Sequence, residues 1–281
     1  MTIIADSGST KTEWIVGEHA DLSVITKGIN PVRDTKEEIL DIISTELMPK
    51  LLSTPAIRQS DITEIHFYGA GCVPPFSQSV KEVLGDLFPQ AKVHVHSDLL
   101  GAARSLCGHE EGIACILGTG SNSCLFDGEK ITGNTPSLGY ILGDEGSGSY
   151  LGRRLLSDCL KKQLPQEIRN RFMEQYKLDI ATILERVYHS PLPNRWLASF
   201  TPFLVEHKEI PEVKAMLIQC FTEFFKRNTM VYRRSWLPIH IVGGVGVSFA
   251  DEIKETAESL GFSVGKITEA PIDGLIEYHK K

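Results

Sequence analysis

An apolar, β-forming run at 113–117 stops at Gly118-Thr119-Gly120-Ser121-Asn122, and a second run, 123–126, leaves it. Two such runs joined by a glycine-rich segment predict a β-hairpin. Neither Gly118 nor Gly120 carries a Cβ, so the turn's backbone can approach a ligand closely. Thr119, Ser121 and Asn122 add short hydrogen-bonding side chains. Turn amides and hydroxyls that point one way form an anion site, usually for phosphate. An ordinary hairpin turn has the same local pattern, so the rest of the chain must decide between the two.

The first residues repeat the pattern. Residues 2–5 read as a short buried strand, Asp6-Ser7-Gly8-Ser9-Thr10-Lys11-Thr12 as a turn, and 13–16 as another strand. A P-loop is excluded, because no glycine precedes Lys11 and a strand pattern follows instead of a helix. A carboxylate at a strand end beside a donor-rich turn suits magnesium and phosphate together. Asp6 would hold Mg2+ through water, while Thr10 and Lys11 meet phosphate oxygens. The plainer alternative is that Asp6 only caps the turn.

A third strand follows at 22–26, then the turn Gly28-Ile29-Asn30-Pro31 and a helix over 36–47. A strand at 65–68, a helix at 77–87 and a strand at 92–96 come next, by alternation and helical spacing. Ser97-Asp98 leads into a helical pattern at 99–106. Asp98 is therefore either a helix N-cap or a catalytic carboxylate at the carboxyl end of a strand. His94 and His96 share a strand face with no third ligand apparent, and are expected to be surface or satisfied histidines. The hairpin at 113–126, with a further strand at 129–132, then begins a second copy. Two β-β-β-α copies predict an α/β chain of two similar domains facing a cleft, 1–107 and 108–281, the second carrying a helical insertion.

Composition narrows the partners. The net charge of −7, with no long basic run, argues against nucleic acid. A hydrophobic fraction of 42% supports a sizeable core. The six cysteines are scattered with no C-x-x-C pair, which excludes the usual zinc and iron–sulfur spacings and predicts reduced core residues. No apolar run is long enough to span a bilayer, and the first residues lack the features of a signal peptide. The expected compartment is the cytoplasm, with no membrane partner.

In the second half, 134–148 is polar and glycine-rich. Asp144 and Glu145 between glycines suit a polyhydroxyl ligand or a cation, a solvated loop being the alternative. Helices are expected over 166–188 and, after the break at Pro191 and Pro193, as one long helix over 211–233. A strand at 239–242 runs into Gly243-Gly244-Val245-Gly246 and a helix at 251–260. Strand, Gly-Gly, helix suits a flat ligand such as adenosine; it is not G-x-G-x-x-G. A short helix is expected within 270–279, begun at Pro271.

With these pieces assembled, the chain resembles the acetate and sugar kinase, actin and Hsp70 superfold. Within it, the chain is similar to the BadF/BadG-type ATPase family, in the branch containing N-acetylglucosamine kinase. The resemblance covers nearly the whole length and is strongest from Asp98 to Tyr150, where Ser97-Asp98, then Leu117-Gly118-Thr119-Gly120-Ser121-Asn122, then Gly143-Asp144-Glu145-Gly146-Ser147 occur in order. It implies two ribonuclease H-like domains with an interdomain ATP cleft. Further, it implies Asp6 near magnesium, and Gly8, Ser9, Thr10 and Lys11 as a first ATP-phosphate motif. Gly118, Thr119 and Gly120 would be the second such motif, and Gly243, Gly244 and Val245 the adenosine motif. Asp98 matches the base that takes a proton from the acceptor hydroxyl. Asn30, Ser121, Asn122, Leu138, Gly139 and Asp144 match sugar-contacting positions. The family usually has glycine where Ser7 and Ser9 stand, and a glycine- and tryptophan-containing stretch where this chain has Thr135-Pro136-Ser137-Leu138-Gly139.

The implied activity is ATP-dependent phosphorylation of an amino sugar, N-acetylglucosamine first, at O6, with ATP and Mg2+. Homodimerisation is left open. An ATPase that activates a dehydratase, and a non-catalytic sugar or nucleotide sensor, rank below it.

Overall fold

The computed structural model describes residues 1–8, 10–17 and 20–280. They form two compact units, Met1–Glu110 with Gly128–Lys130 and Pro271–Lys281, and Glu111–Asp127 with Ile131–Ala270. Ser9, expected in the first phosphate motif, lies outside the described residues.

Unit 1 is built on β1 (Thr2–Ser7), β2 (Lys11–Val16), β3 (Leu22–Lys27), β4 (Glu64–Gly69) and β5 (Lys92–Ser97). The sheet order is β3-β2-β1-β4-β5. The hairpin pairs β1–β2 and β2–β3 are antiparallel, and β1–β4 and β4–β5 are parallel. Parallel strands need crossover helices and are covered on both faces, so their sequences are apolar on both sides. Accordingly Ile3, Ala5, Ile65 and Phe67 enter one core, while Ile4, Ile15 and Tyr68 meet Ile272 and Leu275 on the opposite face.

The helices of this unit are α1 (Lys36–Ile42), α2 (Met48–Leu52), α3 (Ser77–Leu87) and α4 (Asp98–Cys107). A π-helical turn, Ile43–Leu47, joins α1 to α2. Thr35 and Glu38 form a capping box that starts α1.

Unit 2 repeats the topology with β6 (Glu111–Leu117), β7 (Ser121–Asp127), β8 (Ile131–Thr135), β9 (Ile239–Val242) and β10 (Val264–Thr268), in the order β10-β9-β6-β7-β8. Between β8 and β9 stand α5 (Gly139–Leu142), α6 (Gly148–Leu160), α7 (Gln166–Gln175), α8 (Ile180–Tyr188), α9 (Pro193–Ala198), α10 (Thr201–His207) and α11 (Pro211–Phe224). Then come α12 (Gly244–Ser248) and α13 (Ala250–Ser259), and finally α14 (Ile272–His279). The core of unit 2 joins β6 and β9 to α6, α10 and α11 through Ile113, Leu117, Ile241, Leu151, Leu155, Phe203, Phe221 and Phe224.

Several expectations shift. The boundary expected at 107/108 falls instead at Glu110, and α14 is part of unit 1, because it packs on α4 and β1. The helix expected over 166–188 is two. The chain turns at Lys177, whose φ is 50°, and Asp179 caps α8 by accepting from the Thr182 amide at 2.7 Å. The helix expected over 211–233 is α11 followed by a π turn, Phe225–Thr229, and a 3-10 turn, Met230–Tyr232. Among the described residues no helix is long and apolar enough to cross a membrane.

Candidate active site

Both units present a glycine turn at the carboxyl ends of their parallel strands. In unit 1 the ladder carries Ser7 opposite Thr12 and beside Gly69, and Gly69 beside Ser97. The turn is tighter than expected: β1 runs to Ser7, which pairs with Thr12, and β2 begins at Lys11. The Gly8 amide closes it by donating to the Lys11 carbonyl at 3.0 Å. Ser7, standing where glycine is usual in the resembling family, is fully buried and has a structural task. Its Oγ is 2.7 Å from Thr12 Oγ1, donates to the Ile29 carbonyl and accepts from the Ile29 amide, both at 2.9 Å. That ties the turn to the segment carrying Asn30.

Asp6 lies on β1 between Glu13 and Tyr68 of its neighbours. Burial pushes its carboxyl up to about 7, helped by the negative charges of Asp98 and Glu13 and opposed by Lys11. Ser97, not Asp98, caps α4, accepting from the Leu100 amide at 3.3 Å. Asp98 is the first residue of the helix, and its Oδ1 accepts from the Leu99 amide at 2.8 Å. Burial holds the Asp98 carboxyl above the usual carboxylate range, against the pull of backbone amides. Two carboxylates at one edge of the sheet, both resisting ionisation, are a recurrent arrangement of functional sites. Asn30 is committed to its loop: its amide donates to Asp34 Oδ2 at 2.6 Å and its Oδ1 accepts from the Val32 amide at 3.0 Å. Lys11 is exposed and pairs with Glu13 at 3.7 Å.

In unit 2 the turn is Gly118 to Gly120, and the strand resumes at Ser121, so Ser121 and Asn122 belong to β7. The Gly118 amide donates to the Gly120 carbonyl at 3.0 Å. Asp144, in the left-handed region at φ 55°, turns its buried carboxylate onto this strand, where Oδ1 accepts from the Ser121 amide at 3.2 Å. Burial raises the Asp144 carboxyl, partly offset by that hydrogen bond. The Ser121 hydroxyl is buried with no hydrogen-bond partner among the described residues. A buried hydroxyl left unpaired costs about 1–3 kcal/mol, which a ligand can recover. Asn122 Oδ1 accepts from Asn134 Nδ2 at 3.0 Å, which fixes the orientation of its amide. Leu138 is 63% exposed and, like Gly139, has positive φ; the structure brings Asp144 to the turn but leaves the Leu138 side chain in solvent. Glu145, whose role the sequence leaves undefined, accepts from Asn228 Nδ2 at 3.3 Å and lies 3.7 Å from Arg227.

A cavity of about 630 Å³ lies against the second turn. Gly118 and Thr119 form one side and Gly244, Val245 and Ser248 another, so the structure brings together two motifs more than a hundred residues apart in sequence. Gly148 at the start of α6 also lines it, and the rest of its wall, Ala198, Thr201, Pro202 and Val205, comes from α9 and α10 and was missed in the sequence. The size is that of an ordinary small-molecule pocket. Gly243 makes the approach possible. Its φ is 125°, and a Cβ there would collide with the Leu117 carbonyl. Gly152 does the same for the far wall, since a Cβ on it would strike the Leu197 carbonyl and drive α9 from α6.

No protein-family model matches the chain, and no curated protein does. Solved structures do. A Porphyromonas gingivalis protein provisionally named an N-acetylglucosamine kinase is 43% identical, with a TM-score of 0.93 over 99% of this chain and 98% of its own. A Chromobacterium violaceum protein with the same provisional name is 17% identical, with a TM-score of 0.69 over 99% and 98%. A Streptomyces griseus ROK family glucokinase, solved with glucose and AMPPNP, is 16% identical, with a TM-score of 0.55 over 99% and 97%, and shares the fold. The architecture is therefore the two-domain α/β fold of sugar kinases, Hsp70 and actin.

Proposed function

Since this chain belongs to the BadF/BadG-type ATPase family, in its N-acetylglucosamine kinase-like branch, we propose that it is an ATP-dependent sugar kinase. Its acceptor is an amino sugar, N-acetylglucosamine first, and the hydroxyl phosphorylated is O6. The observation that carries the reading is the unit 2 cavity, which joins Gly118-Thr119 to Gly244-Val245 around a space of ordinary small-molecule size. The 43% identical Porphyromonas gingivalis protein supports the choice of sugar.

Each group then has a task. Adenosine occupies the cavity against Gly243, Gly244 and Val245. The amides and hydroxyls of Gly118, Thr119 and Gly120 hold phosphate oxygens, the role proposed in unit 1 for Gly8, Thr10 and Lys11. Ser121, Asn122 and Asp144 of unit 2 hold sugar hydroxyls, the unpaired Ser121 Oγ supplying one bond; Leu138 and Gly139, and in unit 1 Asn30, take the same sugar-binding role. Asp98 accepts the proton of the acceptor hydroxyl as the phosphoryl group transfers in line. Its raised affinity for a proton suits a base better than an ordinary aspartate would.

Asp6 fits a magnesium ion, because a cation offsets the burial and the Asp98 and Glu13 charges that keep its carboxyl near 7. When bound, that ion neutralises phosphate charge. The dehydratase-activating alternative requires cysteines presented to a cluster, and all six here are buried.

The test is ADP release with magnesium and ATP across N-acetylglucosamine, N-acetylmannosamine, N-acetylmuramic acid, glucosamine and glucose, with a no-sugar blank. Release that depends on one sugar supports the kinase and identifies its acceptor. Equal release in the blank points to an ATPase, and ATP binding without release points to a sensor.

A further inference from the structure

The face of the unit 1 sheet that carries α4 and α14 also holds a group of side chains that phosphoryl transfer does not use. Glu64 and His66 are two residues apart on β4 and so share a face, and the β4–β5 register places His94 directly beside His66. The two imidazoles lie nearly parallel, 9° apart in plane, with centroids 4.9 Å apart. Both Nε2 atoms converge on one oxygen, His66 at 3.3 Å and His94 at 3.7 Å from Glu64 Oε1. His66 Nδ1 and His94 Nε2 are buried with no hydrogen-bond partner among the described residues. The His66 ring is held in place from above: His279 of α14 stacks on it at 3.8 Å, and His279 Nε2 is 2.8 Å from the Tyr68 hydroxyl, which accepts from Arg104 at 2.8 Å.

We propose that Glu64, His66 and His94 form a binding site for one divalent transition cation, zinc first, distinct from the magnesium position at Asp6. Each offers one ligand atom, and these atoms all lie within 4.8 Å of one another. Ligands about 2.0–2.1 Å from a tetrahedral zinc stand about 3.3 Å from each other. The His66–Glu64 separation already has that span, and closing the others, none longer than 4.8 Å, takes rotation of the two stacked imidazoles. Two imidazoles and one carboxylate select zinc, cobalt or nickel over magnesium and calcium, which take oxygen ligands. Three protein ligands leave a coordination position for water.

The experiment is equilibrium dialysis of the untagged, metal-stripped full chain against Zn2+ and Co2+, beside Glu64→Gln, His94→Gln and Asp6→Asn. The expected result is one equivalent per wild-type chain and a cobalt absorption spectrum of low coordination number. Affinity should weaken at least about tenfold in Glu64→Gln and in His94→Gln, and be unchanged in Asp6→Asn. No retention by the wild-type chain, or undiminished affinity in both ligand variants, overturns the proposal, as does loss of the cobalt spectrum in Asp6→Asn. Zinc X-ray absorption on the wild-type chain gives an answer that does not depend on a variant folding. Two imidazole nitrogens in the zinc shell support the site, and a shell of oxygen alone rejects it.

Discussion

The Gly148 amide donates to the Gly118 carbonyl at 2.8 Å, and the next amide, of Ser149, donates to the Thr119 carbonyl at 3.1 Å. The turn assigned to phosphate is thus fixed by the first turn of α6, and α6 is in turn fixed against α9 by the absence of a side chain at Gly152. Gly152→Ala places a Cβ into the Leu197 carbonyl, a backbone atom that cannot rotate away. The expected loss is about 2–3 kcal/mol of stability, with weaker nucleotide binding as the α9–α10 wall moves. Urea denaturation and nucleotide titration check it, and a wild-type midpoint would show that the contact relaxes freely.

Gly244 is the opposite case. It lines the cavity, and a Cβ on it would meet nothing within 4 Å. Gly244→Leu therefore leaves the fold within about 1 kcal/mol of wild type while filling the space given to adenosine. The KM for ATP should rise at least about tenfold, with the acceptor KM little changed. An unaltered KM for ATP would place the nucleotide elsewhere.

Asp98→Asn keeps the size of the side chain and an acceptor oxygen for the Leu99 amide but cannot take a proton. Phosphoryl transfer is expected to fall by on the order of a hundredfold or more, with ATP affinity retained. Single-turnover kinetics beside nucleotide titration separate the two quantities, and undiminished transfer would remove Asp98 from the reaction.

Asp6 sets a pH dependence whose sign follows from its position. Its folded pKa, about 7, lies above the ordinary aspartate value. The folded chain therefore binds a proton that the unfolded chain releases between about pH 4 and 7. The stability from that proton is fully present below about pH 4 and is lost as pH rises through 7. In chelator, Asp6→Asn should exceed wild type by roughly 1–3 kcal/mol above pH 7, discounted for partial exposure, with the gap closing on acidification. Calorimetry at pH 5 and pH 8 decides; a gap that widens toward low pH has the wrong sign.

The buried cysteines should be inert. Burial pushes the thiols of Cys72, Cys159 and Cys220 up to about 12 each, so almost no thiolate is present at neutral pH. A disulfide reagent should modify the native chain only at the rate of unfolding and all six thiols once denatured. A rapid native burst would point to an opened core.

The paired glycine turns were legible because each short apolar run stops abruptly at small polar residues and glycine, Leu117 at Gly118-Thr119-Gly120 and Ala5 at Asp6-Ser7-Gly8. Asp98 was legible because it stands between the alternation of β5 and the helical spacing of α4. The rear wall of the cavity was not. The helices α9 and α10 are six and seven residues long, too short to show a helical period, and Pro191 and Pro193 read as a break. β10 was missed as well, since Gly265 and Lys266 interrupt its apolar run. The Glu64, His66 and His94 group could not be read from alternation alone, because β4 and β5 are brought side by side only by a crossover through α3.

The return of α14 to unit 1 has a consequence for biosynthesis. Gly274 packs so closely on Ser105 that a Cβ would strike its backbone, and Ile272 and Leu275 close the apolar layer over Ile4 and Ile15. All of unit 2 is encoded between Glu110 and Pro271 of unit 1. Unit 1 emerges from the ribosome first yet must wait, with that face of its sheet uncovered, until every residue of unit 2 has been translated.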